Sequence, residues 1–261
     1  GSDGCGRRQG GQGHRRSTGR GCVGRLGLSS TGLAVHYLIT HLPAAWALTV
    51  IHLRLSLLPV LAGLAIALPW GALAWRKAVL RRLTTVTASV VFTIPSLALF
   101  VVLPLLIPTR ILDEANVVVA LTLYTTALLV RVVFDALDAV PPQVRDAASA
   151  VGYRPITRLI KVELPVSIPV LVAGLRVVVV TNISMVSVGA VIGIGGLGTW
   201  FTEGYQADKS DQIVAGIIAI FVVAVVVDVS LMLAGRAATP WERVSRPGRR
   251  LLTAPVVGGS R

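Results

Sequence analysis

Five apolar runs of 20 to 25 residues, at positions 55–75, 83–107, 115–134, 169–192 and 212–234, decide most of what this chain can fold into. At about 1.5 Å of rise per residue, each run is long enough to cross a hydrocarbon core of about 30 Å. In lipid the backbone has to satisfy its own hydrogen bonds, so apolar runs separated by polar connections form helices. Their Val, Ile and Leu content would also suit buried strands, but strands seldom exceed about ten residues. Charged residues make up 14% of the 261 positions, against about a quarter in an ordinary soluble domain. The expected fold is an all-α polytopic membrane protein with about five transmembrane helices.

The formal net charge of +13 raises a nucleic-acid partner, but its distribution fits a membrane better. Basic residues collect in alternate connections: Arg76, Lys77, Arg81 and Arg82 in the first, Arg145, Arg154, Arg158 and Lys161 in the third. Arg236, Arg243, Arg246, Arg249 and Arg250 follow the last run. The other two connections are poor in cations: Arg110 stands beside Asp113 and Glu114, and Lys209 among Glu203, Asp208 and Asp211. Basic loops stay cytoplasmic, so one orientation suits every connection, with the N-terminus outside and the C-terminus in the cytoplasm. The expected partner of the chain's surface is the lipid bilayer of the cell membrane, and no nucleic acid is required.

Residues 1–34 differ from the rest, with eleven glycines, six arginines and no aromatic residue. That composition is typical of disorder, and the six arginines would lie on the wrong side of the membrane. We expect a disordered extension over 1–34, either an artificial addition or an upstream reading-frame extension, with the natural chain starting near Val35. The membrane-spanning body then covers 35–240 and a basic cytoplasmic tail 241–261. Within 36–53, Tyr37, Trp46 and His36, His41 and His52 stand among leucines and alanines, which reads as an interfacial elbow helix before the first span. Pro59, Pro69, Pro95 and Pro104 lie inside spans, as packing kinks or hinges.

The third connection, 135–168, has its own logic. Pro141-Pro142 opens a helix, and Val144, Ala147, Ala148 and Val151 recur at helical spacing. Gly152 then stops it as a C-cap glycine. Pro155 opens a second helix over 156–163, ended by Leu164-Pro165. Two short helices around a glycine present small side chains outward. The spacing Asp146-Ala147-Ala148, three residues, Gly152, nine residues, Val162-x-Leu164-Pro165 resembles the EAA coupling loop of permease subunits of bacterial ABC importers. This resemblance implies that Asp146, Ala147, Ala148 and Gly152 dock into a groove on a separate cytoplasmic ATPase, with Val162, Leu164 and Pro165 closing the loop. Asp146 replaces the usual glutamate and is one methylene shorter; Val162 replaces isoleucine.

Gly193-Ile194-Gly195-Gly196-Leu197-Gly198 formally satisfies G-x-G-x-x-G, yet it follows a membrane span and lacks the strand that dinucleotide binding requires. The stretch 189–205, together with Ile94-Pro95-Ser96-Leu97-Ala98-Leu99, looks like permeases for glycine betaine, carnitine and choline-type osmoprotectants. Methionine-importer permeases carry a related glycine-rich stretch and form the alternative within transport. A channel or secondary transporter is the alternative outside it, but no internal repeat is evident.

Polar groups inside spans are the remaining candidates. Asp228 either lines the pathway or pairs with Arg176 or Arg131. Asn182, Ser184 and Ser187 give the fourth span a polar side, and with Gly193, Gly195, Gly196 and Gly198 they are candidates for a translocation path. Cys5 and Cys22 have no ligand pattern around them, so no metal is expected. No phosphate-binding G-x4-G-K-[ST] loop and no catalytic signature occurs, so the chain itself is expected to bind no cofactor and to be no enzyme. By resemblance, ATP is used by the partner ATPase, a second permease subunit, identical or homologous, completes the pore, and an extracytoplasmic substrate-binding protein delivers the solute.

Overall fold

The computed structural model describes residues 26–106 and 113–240. The expected extension up to residue 25, the end of the second run at 107 and the basic tail 241–261 lie outside them. Every regular element among the described residues is helical. Among the described residues four helices are long and apolar enough to span a membrane, and a bent helix pair supplies a fifth crossing if its halves count together.

The first two helices depart from the sequence reading. Residues 26–34 are not an irregular tail: α1 runs Leu26–Thr40. Ala34 is fully buried, in a cluster with Ala45, Trp200 and Ala215. The expected elbow over 36–53 is also divided differently. The chain breaks only at His41, and α2 then continues unbroken from Leu42 to Trp75. The aromatic and histidine content of 36–53 signalled an interface, but nothing after His41 stops a helix, and Pro43 in the first turn of α2 favours one.

The second apolar run is not one straight span. Helix α3, Ala78–Thr93, and α4, Ser96–Leu106, meet at 96°. The residue before a proline is pushed out of the helical region by the proline ring. Ile94 adopts φ −72° and ψ 126°, which ends α3 immediately before Pro95. Tyr124 then donates its hydroxyl to the Ile94 carbonyl that the break sets free. Leu99, Phe100 and Leu103 of α4 pack on Val117, Leu121 and Tyr124 of α5, Glu114–Asp138. Asp113 caps α5, its carboxylate accepting from Ala115 N at 3.1 Å.

Helix α5 is the centre of the bundle. Gly63, Ala67 and Gly71, each four residues apart on α2, form a small-residue stripe that lets the two backbones approach. A Cβ on Gly63 would lie 2.8 Å from Thr125 Cγ2, and one on Gly71 2.8 Å from Val133 Cγ1. Without a hydrophobic drive between helices in lipid, such contacts and interhelical hydrogen bonds hold the bundle. Asn182 supplies one: its Nδ2 donates to Thr125 Oγ1 at 2.8 Å and to the Ser56 carbonyl at 3.3 Å, joining α8, Leu164–Gly189, to α5 and α2.

The third connection folds as α6, Pro142–Ala150, and α7, Pro155–Arg158. The second short helix does not stop at Leu164-Pro165, contrary to expectation. A π turn over Leu159–Glu163 leads directly into α8, Leu164–Gly189, so one helical rod extends from Pro155 to Ile192. In that turn Leu164 N reaches back five residues to the Leu159 carbonyl. Pro165 follows that turn inside the rod, so its missing N–H falls where the hydrogen-bond register changes. A 3-10 turn, Ala190–Ile192, the glycine-rich loop, and α9, Thr199–Gln206, precede α10, Ser210–Ala238.

Candidate functional site

The basic end of the bundle carries the connection that holds α6 and α7. Trp75 at the end of α2 donates Nε1 to Asp138 Oδ1 at 2.7 Å. Arg81 of α3 reaches the same carboxylate at 2.5 Å, and Arg145 of α6 stacks 5.5 Å above the Trp75 ring. Arg76 donates to the carbonyl of Pro155. Asp138 at the end of α5 thus gathers α2 and α3, and the end of α2 holds both α6 and α7.

Their outward face is apolar, which is unusual for a solvent-exposed connection. Val151 is 78% exposed, Ile156 68% and Ile160 57%. Asp146, Ala147, Gly152 and Tyr153 are exposed beside them. The expected apolar stripe splits: Ala147 and Val151 face out, whereas Ala148 is buried and Val144 half-buried. Ile156 and Ile160 extend this face beyond the stripe expected from the sequence, and their four-residue spacing is the signal that marks them. Val162, Leu164 and Pro165 are half-buried at the foot of α8, apart from the outward face.

Gly152 sets the angle between the two helices. Its φ is +92°, a conformation that side chains rarely adopt. Tyr153 N donates to the Ala148 carbonyl at 3.1 Å and Gly152 N to the Ser149 carbonyl at 3.0 Å. This pair of bonds is the Schellman motif, so the last carbonyls of α6 are satisfied by the turn itself.

The expected pathway residues occupy two environments. Asn182 is 1% exposed and held in the α2–α5–α8 interface. Ser184 is exposed and Ser187 partly so, and both line a groove of about 340 Å³ between α8, α9 and α10 with Phe201 and Phe221. Ser187 Oγ donates back to the Ile183 carbonyl at 3.4 Å. In the glycine loop, Gly193 and Gly196 have φ +83° and +107°. Gly193 is exposed, Gly195 half-buried, and Gly196 and Gly198 buried. A Cβ on Gly198 would meet Ala190 Cβ at 2.7 Å, and one on Gly196 would meet His52 Nδ1 at 3.1 Å. His52, fully buried on α2, joins its Nε2 to the Ile183 carbonyl at 3.0 Å. The loop is thus packed tightly against α2 and α8. On the same end, Tyr37 of α1 meets Trp200 edge-on at 5.5 Å, and burial, then Glu203 and Asp211, pushes its phenol up.

Of the two partners considered for Asp228, the structure selects Arg176. Its Nε and Nη2 donate to the two carboxylate oxygens at 2.8 and 2.6 Å. Arg131 turns instead to α3, donating to Ser89 Oγ and to the Thr85 carbonyl at 3.4 Å.

Comparison with known proteins agrees with this architecture. Residues 63–243 match the family described as the binding-protein-dependent transport system inner membrane component. The osmoprotectant import permease protein OsmW of Salmonella typhimurium is 35% identical over 199 residues, 74% of this chain and 91% of its own. The choline transport system permease protein OpuBB of Bacillus subtilis is 28% identical over 189 residues, 72% of this chain and 86% of its own. Among solved structures, the methionine ABC transporter MetNI in an inward-facing conformation aligns with a TM-score of 0.67 at 22% identity, covering 72% of this chain and 93% of that one. The matched region takes in every long helix from the second half of α2 onward, including the connection α6–α7. This chain belongs to the binding-protein-dependent transport system inner membrane component family and is a multi-pass membrane permease subunit.

Proposed function

We propose that this permease carries a small osmoprotectant, such as glycine betaine, carnitine, choline or proline, across the cytoplasmic membrane in an ATP-driven importer. The observation that carries the coupling is the exposed apolar face of Val151, Ile156 and Ile160 around Gly152, on a connection tied to the bundle by Arg76, Trp75 and Arg145. A rigid, small-residue, apolar surface at the basic end suits docking of a cytoplasmic ATPase, with Asp146, Ala147 and Gly152 at the contact and Ala148 buried beneath them. Two permease copies would enclose the path, since one chain of this size leaves the α8–α10 groove open on its side. ATP-driven closure of two ATPases would bring the two connections together and rock the spans, and an extracytoplasmic binding protein would supply the solute. The basic end is then cytoplasmic, with the C-terminus inside.

The solute assignment is supported by the sequence relatives: permease proteins named for osmoprotectant, choline and carnitine transport align over two thirds of this chain or more. The likeness to the methionine transporter supports the fold alone. The deciding experiment is uptake of radiolabelled glycine betaine in an uptake-deficient bacterium expressing this chain with its cognate ATPase and binding protein. Wild type should accumulate label, and Gly152→Asp should abolish accumulation while remaining in the membrane. ATPase binding that depends on Gly152 without betaine uptake would discard the solute and keep the importer. A Gly152→Asp variant that binds and transports normally would discard the coupling role.

A further inference from the structure

Arg158 and Glu163 are five residues apart, a spacing that in a regular α-helix puts two side chains about 140° apart. They nevertheless meet: Arg158 Nε donates to Glu163 Oε1 at 2.7 Å. The π turn over Leu159–Glu163 makes this possible, because a five-residue hydrogen-bond register brings residues i and i+5 onto one face. The same guanidinium reaches backward, its Nη1 donating to Ser149 Oγ of α6 at 2.6 Å. Ser149 is itself in the turn that Gly152 closes, since its carbonyl accepts from Gly152 N. A continuous polar link therefore runs from the end of α6, through Arg158, to the foot of α8.

Glu163 is an unusual residue to place there. Its side chain is 1% exposed, and Oε2 is buried with no hydrogen-bond partner among the described residues. A buried ion pair is a poor source of stability, because desolvation offsets most of its attraction and apolar replacements do as well or better. What such a pair does supply is a fixed geometry between the elements that carry it. Helical π turns are also frequent at functional sites.

We propose that Ser149, Arg158 and Glu163 form a transmission strut that converts displacement of α6 into tilting of α8; this rests on the coupling role proposed for the connection. From Glu163 to Ile192 the rod is about 45 Å long at 1.5 Å per residue, so a tilt of about 5° at its foot moves the outer end about 4 Å. Without the strut the π turn is a soft joint, and movement of α6 is absorbed there. The three residues position the moving parts and are separate from the docking face of Asp146, Ala147 and Val151.

The test uses the complete assembly with its ATPase, on a Cys5→Ser, Cys22→Ser background carrying a bimane label at Val191→Cys, a 65% exposed position at the outer end of the rod. The double variant Arg158→Met, Glu163→Leu removes the pair while keeping its bulk. Its ATP hydrolysis should stay within about twofold of wild type, while the ATP-driven change in label emission falls about fivefold. Ser149→Ala, at an exposed site that folding tolerates, should lower the emission change by about twofold. A full emission change in the double variant would overturn the strut. Loss of ATPase binding or hydrolysis there would also overturn it, by assigning the pair to folding or docking. Because the label needs no solute, absent betaine uptake would affect only the solute assignment. A wild-type assembly with no ATP response would remove the importer mechanism and the strut together.

Discussion

Arg176 of α8 and Asp228 of α10 are joined by two parallel hydrogen bonds, Nε to Oδ1 at 2.8 Å and Nη2 to Oδ2 at 2.6 Å. Planar guanidinium and carboxylate groups fit in this way and no lysine reproduces it. The two charges lie within long membrane-spanning helices, so each depends on the other for its place in the membrane. Asp228→Asn and Arg176→Met should each lower the temperature at which detergent-solubilised protein loses its resistance to protease. The exchange Arg176→Asp with Asp228→Arg should recover most of that loss. Equal losses in the two single variants and the exchange would show that the residues act separately.

A second contact between spans rests on the absence of a side chain. A Cβ on Gly174 of α8 would lie 2.3 and 2.8 Å from the two γ-carbons of Val132 on α5. Both branches and the Cβ of Val132 are crowded, so no rotation of one methyl relieves the clash. Gly174→Ala should cost about 1–3 kcal/mol, as overpacking does. Adding Val132→Ala should restore most of the stability, measured by the same protease assay. A double variant no more stable than Gly174→Ala would mean that the helices separate for another reason.

How much of this was legible in the sequence depends on what each residue's neighbours allow. The Gly152 turn was readable because a left-handed C-cap at the end of a short helix favours glycine, whatever surrounds it. The break at Pro95 was also available locally, since Ile94 had to leave the helical region, although a 25-residue apolar run hid it. Pro165 carries the same local signal and breaks nothing, because the π turn before it shifts the hydrogen-bond register. No local rule separates those two prolines. The Arg158–Glu163 contact was invisible for the same reason: at regular helical spacing the two side chains point apart. Asn182 is recognisable in the sequence as a polar residue within a span, but its burial against Thr125 and Ser56 depends on three helices meeting.

At Gly152 itself, the prediction separates strain from space. A Cβ there meets nothing within 4 Å, so alanine is excluded by backbone conformation alone. Holding alanine at φ +92° costs about 1 kcal/mol, which should weaken ATPase binding to the connection about fivefold. Asn, which tolerates the left-handed region better, should lose less than alanine. The comparison needs only a binding titration of the detergent-solubilised permease with its ATPase. If alanine and asparagine bind equally well to wild-type strength, the turn does not have to be held in this conformation for docking.

The glycine loop offers the matching test at the opposite end. Gly196 combines φ +107° with a Cβ position 3.1 Å from His52 Nδ1, whereas Gly195 has neither problem, its nearest neighbour being Ile51 Cγ2 at 3.8 Å. His52 cannot retreat freely, because its Nε2 is engaged with the Ile183 carbonyl and its ring is fully buried. Gly196→Ala should therefore displace the loop and reduce betaine uptake about tenfold, and Gly195→Ala should stay within about twofold of wild type. Adding His52→Ala to Gly196→Ala opens space but leaves the backbone strain, so recovery should be partial. ATPase binding, measured in parallel at the far end of the molecule, should be unchanged in all three variants. Equal uptake by Gly195→Ala and Gly196→Ala would show that this packed turn has no part in moving the solute.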